Sequence, residues 1–167
     1  VKTFKPIILN NNESDVVIAI FCGKSEYIEA ITCLYSFYLF SNYKYPLYWF
    51  NDGSLSNTDL KFIKSRLVNV TIIQSERINE NISNWLLSNN LSTLKLLRDT
   101  LIFGRRLVDI NYHLSGKTVL QLDSDVLFLN KPDLLLKHMD IAHAKNSFTW
   151  FYNKDICNSY CTSPESI

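Results

Sequence analysis

The sequence predicts an α/β domain whose mainly parallel sheet is flanked by helices. Three observations carry that prediction. Short apolar, β-branched runs alternate with longer helical stretches, as where Val16–Phe21 (VVIAIF) precedes Ser25–Ser41. The 167 residues are 47% hydrophobic and 20% charged with only four Gly and four Pro, which suits one globular domain with a full core. Finally, polar loops follow the apolar strands: Cys22-Gly23-Lys24, Asn51-Asp52-Gly53-Ser54 and Asp123-Ser124-Asp125. In a parallel sheet such loops meet in one crevice at the carboxyl ends of the strands, where ligands bind.

Val16–Phe21 reads as a buried strand, and Ser25 is placed to cap the helix that follows. That helix (EYIEAITCLYSFYLF) is apolar nearly all round in its second half, so it should be sandwiched. Leu47–Phe50 is a second strand, stopped by Asn51-Asp52-Gly53-Ser54. Asn57 or Ser56 then caps a helix over Asp59–Leu67, and Val70–Gln74 is a third strand. The Ser75–Asn90 stretch is polar with a short apolar island, Trp85-Leu86-Leu87, and supports no firm assignment. Ser92–Leu114 reads as one long helix with Leu94, Leu97, Leu101 and Val108 along a stripe. Gly116 closes it, and the strand Thr118–Leu122 follows. After Pro132 comes a short helix, Asp133–His138, with Ile141–Ala144 as a candidate last strand. The predicted core spans about 16–144 within a single domain, 1–167.

The net charge of +1 gives no reason to expect nucleic acid or an anionic membrane as partner. No apolar run approaches the ~18–20 residues of a membrane span. Residues 1–15 lack the apolar core of a signal peptide, so the expected location is cytoplasmic or peripheral to a membrane. Four cysteines (Cys22, Cys33, Cys157, Cys161) are too few for a disulfide scaffold, and Cys157 and Cys161 have no partners at zinc spacing. The sequons at Asn12, Asn69, Asn81 and Asn90 are what an Asn-rich composition gives by chance.

The chemistry centres on LQLDSDVLFL, Leu120–Leu129, where Asp123 and Asp125 interrupt an apolar run that reads as a central strand buried on both faces. Desolvated carboxylates side by side raise each other's pKa and need compensation. A hard divalent cation supplies it, and Mg²⁺ in particular prefers one or two carboxylates plus substrate phosphates. The competing reading is a solvated hairpin turn. The convergence of the three loops favours metal and phosphate.

LQLDSDVLFL resembles the DxD strand of nucleotide-sugar glycosyltransferases with the GT-A fold, and Gly116–Leu120 fits the approach to that motif. FNDGSLSNT is similar to the DDGSxDxT segment of inverting family 2 enzymes, with Asp52 kept and Asn51 in place of the first carboxylate. Arg106-Leu107 resembles the Arg-Leu of retaining family 8 enzymes. The resemblance covers about 16–144 and implies a metal-dependent glycosyltransferase with Mn²⁺ or Mg²⁺ as cofactor. The implied donor is a nucleoside-diphosphate sugar, UDP-sugar favoured and GDP-sugar next, and the acceptor is a saccharide or lipid-linked molecule. It also implies that Asp125 binds the metal directly and that Asp123 binds metal, ribose or both. Asp52 would bind the base or ribose, Phe21 and Cys22 would lie against the base, and Gly23 would admit the ligand to the backbone. Arg106 would sit near the diphosphate. The family generally carries acceptor-side residues further downstream, so the GT-A fold is expected to lack its C-terminal part here, with Asp140 and Asp155 the remaining candidate bases.

Each residue also has a plainer reading. Gly23 and Asp52-Gly53 suit ordinary turns. Arg105 and Asp109, spaced i, i+4, suit an exposed ion pair, and Lys95 and Arg98 suit solvated helix charges. His143 suits a hydrogen-bonded core position on its strand, and Trp150-Phe151-Tyr152 suits core or lid packing as well as sugar stacking. Two further functions compete. Leu120–Val126 fits the hhhhDxDx(T/V) strand of haloacid-dehalogenase-type phosphatases, with Asp123 as nucleophile and Asp125 as acid/base, although that motif normally opens its domain. A non-catalytic nucleotide-sugar-binding module is the other.

Overall fold

The computed structural model describes residues 5–10 and 14–145. Its strands are β1 (Ile7–Ile8), β2 (Val16–Phe21), β3 (Leu47–Asn51), β4 (Leu67–Val68), β5 (Thr71–Gln74) and β6 (Thr118–Leu122). Its helices are α1 (Tyr27–Ser41), α2 (Asn57–Arg66), α3 (Ser75–Ser88), α4 (Ser92–Thr100), α5 (Ile102–His113) and α6 (Asp133–Lys145). β5, β3, β2 and β6 form, in that order, one sheet in which every pairing is parallel. Ile18 of β2 stands opposite Leu47 on one side and Leu120 on the other. β1 and β4 pair in parallel as a separate two-stranded annex. The chain thus winds outward from β2 through β3 to β5, then returns to the far side of β2 for β6. This is an α/β, Rossmann-like arrangement.

β2 has the sequence of a strand buried on both faces and is one: Val17, Ile18, Ala19 and Ile20 have essentially no exposure. Alternation sends Ile18 and Ile20, with Leu47, Trp49, Leu120 and Leu122, into a core shared with α1, Ile63 of α2 and Leu136 and Met139 of α6. Val17 and Ala19 point the other way, to Phe50, Ile73, Ile110 of α5 and Leu114 just after it. α1 is sandwiched as its composition requires. Beyond it Phe128 lays its ring 5.3 Å from that of Phe37 and donates its N–H to Ser36 Oγ at 3.0 Å. α2 starts at Asn57, before the expected Asp59, and of the two expected caps it uses Ser56, which forms a capping box with Asp59.

Four expectations need correction. β6 pairs only with β2 among the described residues, so it is an edge strand rather than a central one, and the chain leaves it after Leu122. Val126, Leu127 and Leu129 are exposed, not buried strand residues. The long helix is two helices, broken at Leu101, whose φ of −124° and ψ of 132° are extended. Folding back there brings Gly104 so close to α4 that a Cβ would overlap the Leu97 carbonyl. Ile141–Ala144 continues α6 instead of forming a strand. His143 consequently lies exposed on that helix, its Nδ1 3.1 Å from Thr118 Oγ1. Ser75–Ser88, unassigned from sequence, is α3, anchored by Ile82 and Leu86 with Ile78 beside them.

Candidate functional site

The reversal of winding direction between β2 and β6 creates the switch-point crevice of an open α/β sheet. Three loops border it, and each is fixed by its own local bonding. After β3, the buried Asn51 accepts from the N–H groups of Gly53 (3.1 Å) and Leu55 (3.4 Å). Gly53 takes a φ of 102°, which an L side chain rarely adopts. Asp52 Oδ1 in turn accepts from Ser54 N at 2.8 Å and Ser54 Oγ at 2.6 Å. The same Ser54 hydroxyl accepts from Lys24 N at 2.7 Å, so the β2 and β3 loops are tied together. Gly23 lies directly against the Asp52 carboxylate, and a Cβ there would overlap it. Strand–helix alternation put the two loops in one crevice; the structure brings these two residues into contact.

Phe21 is partly buried and packs on the α5-side core. Cys22 is a core residue with 2% exposure. Burial, reinforced by the carboxylates of Glu26, Asp52 and Glu29, pushes its thiol up to about 12. Cys33 on α1 is also pushed up to about 12, by burial and then by Asp123 and Asp125. Both carboxylates of the β6 loop therefore act on one point of α1.

Strand alternation, carried one residue past the end of β6, puts Gln121 and Asp123 on the α5 side. Arg106 of α5 reaches both. Its Nη1 makes an ion pair with Asp123 Oδ1. With the Gln121 amide oxygen turned toward the guanidinium, that oxygen accepts from Nη2 at 2.7 Å and also from Nε. The compensation that sequence reasoning sought for Asp123 thus comes from the protein itself. Asp123 is also half exposed rather than desolvated. Asp125 is exposed beside it.

Two features were missed from sequence. Glu26, at the start of α1, accepts from Ser124 Oγ at 2.7 Å and so places a further carboxylate on the crevice. Its position at a helix N-terminus beside a polar loop was the available clue. Arg98 is not a solvated charge: at 1% exposure it grips the fully buried Asp109 through Nε at 2.5 Å and Nη2 at 3.2 Å. Its Nη1 donates to Asn79 of α3 at 2.6 Å. The partner of Asp109 is therefore Arg98 rather than Arg105. Lys95, as expected, is a surface charge, paired with Asp99.

Among the described residues no three His, Cys, Asp or Glu side chains converge to hold a metal ion. Asp123 and Asp125 offer hard oxygens from a single turn. That donor set fits a divalent cation which completes its shell with phosphate and water. Asp140 is remote from it, near enough to Tyr45 at the amino end of the sheet to raise that phenol after burial has done so. Asp155, Trp150-Phe151-Tyr152, Cys157 and Cys161 lie outside the described residues. A cleft of about 480 Å³ opens at the amino end between Asn10, Ser14, Lys44 and Tyr45, and includes none of the three loops. No described helix is long and apolar enough to cross a membrane. No family model, curated protein or solved structure matches the chain.

Proposed function

We propose that the chain is the nucleotide-sugar-binding part of a metal-dependent glycosyltransferase of GT-A type, taking a nucleoside-diphosphate sugar in the β2–β6 crevice. The observation that carries this reading is the meeting of the three loops at the switch point, with two carboxylates on one of them. Asp125 and Asp123 hold Mn²⁺ or Mg²⁺ against the diphosphate, and when bound the cation supplies Lewis-acid stabilisation of the leaving nucleoside diphosphate. Asp52, oriented by Ser54, accepts from the ribose or base. Gly23, lacking a Cβ, makes room for that Asp52 carboxylate. Arg106 supplies a planar fork of donors near the diphosphate.

A phosphatase using Asp123 as nucleophile is disfavoured, because a guanidinium engages that carboxylate and its strand follows three others in the sheet. Calorimetric titration of UDP and GDP, with and without Mn²⁺, tests the proposal in wild type and Asp125→Asn. Metal and nucleotide should bind with positive coupling of about 1–3 kcal/mol. Asp125→Asn should abolish the coupling without unfolding the protein. Equal nucleotide affinity under all conditions would exclude a metal-dependent transferase. Coupled binding without sugar release would leave the non-catalytic module.

A further inference from the structure

We infer that Arg106 is the resident counter-ion of Asp123, so that a divalent cation enters the Asp123–Asp125 turn readily only in company with a diphosphate. This rests on the function proposed above and adds a regulation of the same site.

The geometry is specific. Strand alternation brings two side chains to one guanidinium: Asp123 engages Nη1 and, with its amide oxygen turned toward Arg106, Gln121 engages Nη2 and Nε. The contact also sits at the lip of the crevice, with Arg106 24% exposed and Asp123 53% exposed. An ion pair so placed is weak and readily exchanged, unlike the buried Arg98–Asp109 pair that joins α4 to the same helix α5.

A bare divalent cation approaching Asp123 must displace a guanidinium from one of its two carboxylate ligands. It must then share the site with a positive charge that remains tethered beside it on α5. A diphosphate removes both penalties. Its oxygens accept the donors Arg106 withdraws from Asp123, and its negative charge screens metal from guanidinium. Arg106 thus weakens metal alone, and its donors are freed for the diphosphate once metal has taken Asp123; both effects enlarge the coupling between the two ligands. The plainer role, a tie fastening α5 to β6, makes no difference to bare metal.

The test is titration of Mn²⁺ alone, followed by the paramagnetic signal of the free ion, on wild type, Arg106→Met, Arg106→Lys and Arg106→Met/Asp123→Asn. Thermal melts verify folding, and Arg106→Gln replaces Arg106→Met if the latter unfolds. Arg106→Met should bind bare Mn²⁺ about tenfold more tightly than wild type, a change within the usual range of site coupling. Arg106→Lys should retain most of the exclusion, and the gain should vanish in the double variant. In the presence of Mn²⁺, UDP should bind Arg106→Met more weakly than wild type. Unchanged affinity for bare Mn²⁺, or a gain that survives Asp123→Asn, overturns the counter-ion role. If UDP and Mn²⁺ couple in wild type while Arg106→Met shows no gain, the nucleotide-sugar reading stands and this inference falls. A gain with no UDP or GDP binding to any variant supports the counter-ion role and overturns the nucleotide-sugar reading.

Discussion

Arg98 and Asp109 are the costliest residues in the fold to bury, and the structure buries both almost completely. Their bidentate contact and the third bond to Asn79 compensate charges that would otherwise be untenable. Burial still raises the Asp109 carboxyl above its ordinary 3.8, with Arg98 pulling it back. Removing one partner should therefore be severe: Asp109→Ala should lower stability by about 3–5 kcal/mol. Arg98→Met/Asp109→Leu should recover most or all of that in chemical denaturation. A carboxyl raised in the folded state contributes stability that is full below 3.8 and is lost as pH rises through its folded value. The double variant should accordingly gain on wild type as pH rises above 3.8, and an equal loss in the single and double variants would disprove this account of the pair. The pairing was illegible in the sequence because helical spacing offered Asp109 a nearer partner, Arg105. Only the break at Leu101 brings a residue eleven positions away against it.

That break is the main event at the scale of elements. Nothing local announces it: Leu101 is an excellent helix former and no Pro or turn dipeptide is present. The stripe of Leu94, Leu97, Leu101 and Val108 fits an unbroken helix equally well. Tertiary contact decides, through the Arg98–Asp109 pair and the backbone approach that Gly104 permits. Gly104→Ala should force α5 off the Leu97 carbonyl and cost about 1–3 kcal/mol, as overpacking does elsewhere. Unchanged stability in urea denaturation would show that the two helices do not rely on this approach. α3 was hidden for a different reason. Its buried side Ile82 and Leu86, with Ile78, is spaced at four, but a narrow stripe among polar residues reads weakly. β2, by contrast, was legible because burial on both faces demands an unbroken apolar run. The strand leading to Asp123-Ser124-Asp125 was read as central for the same reason, yet its apolar continuation proved to be a segment lying partly across α1.

For the whole molecule, the legible part was the winding of alternating elements, which places polar loops at one end of the sheet. The strand order and the counter-ion of Asp123 depend on pairing and helix register, which no local pattern encodes. The resulting arrangement hangs the crevice from β2, hydrogen-bonded on both sides and packed between two cores. Cys22 directly follows that strand and Cys33 packs in the same core on α1, each with a thiol raised from 9.0 to about 12. Their stabilising contribution is full below the unfolded value of 9.0 and is lost as the pH rises through about 12. At pH 8 both thiols are therefore neutral and enclosed, and alkylation requires the β2 core to open. If that core opens as one unit, Cys22 and Cys33 should be labelled at a common rate, with the same denaturant dependence as amide exchange in β2. Peptide mapping by mass spectrometry measures both. On the proposed function, UDP with Mn²⁺ at a hundred times its Kd should slow the two labelling rates together by about a hundredfold, since it would bind loops attached to that strand. Native-state labelling of either thiol faster than β2 exchange would show that the carboxyl end of the sheet opens independently. The crevice would then be a locally unfolding margin rather than an extension of the core.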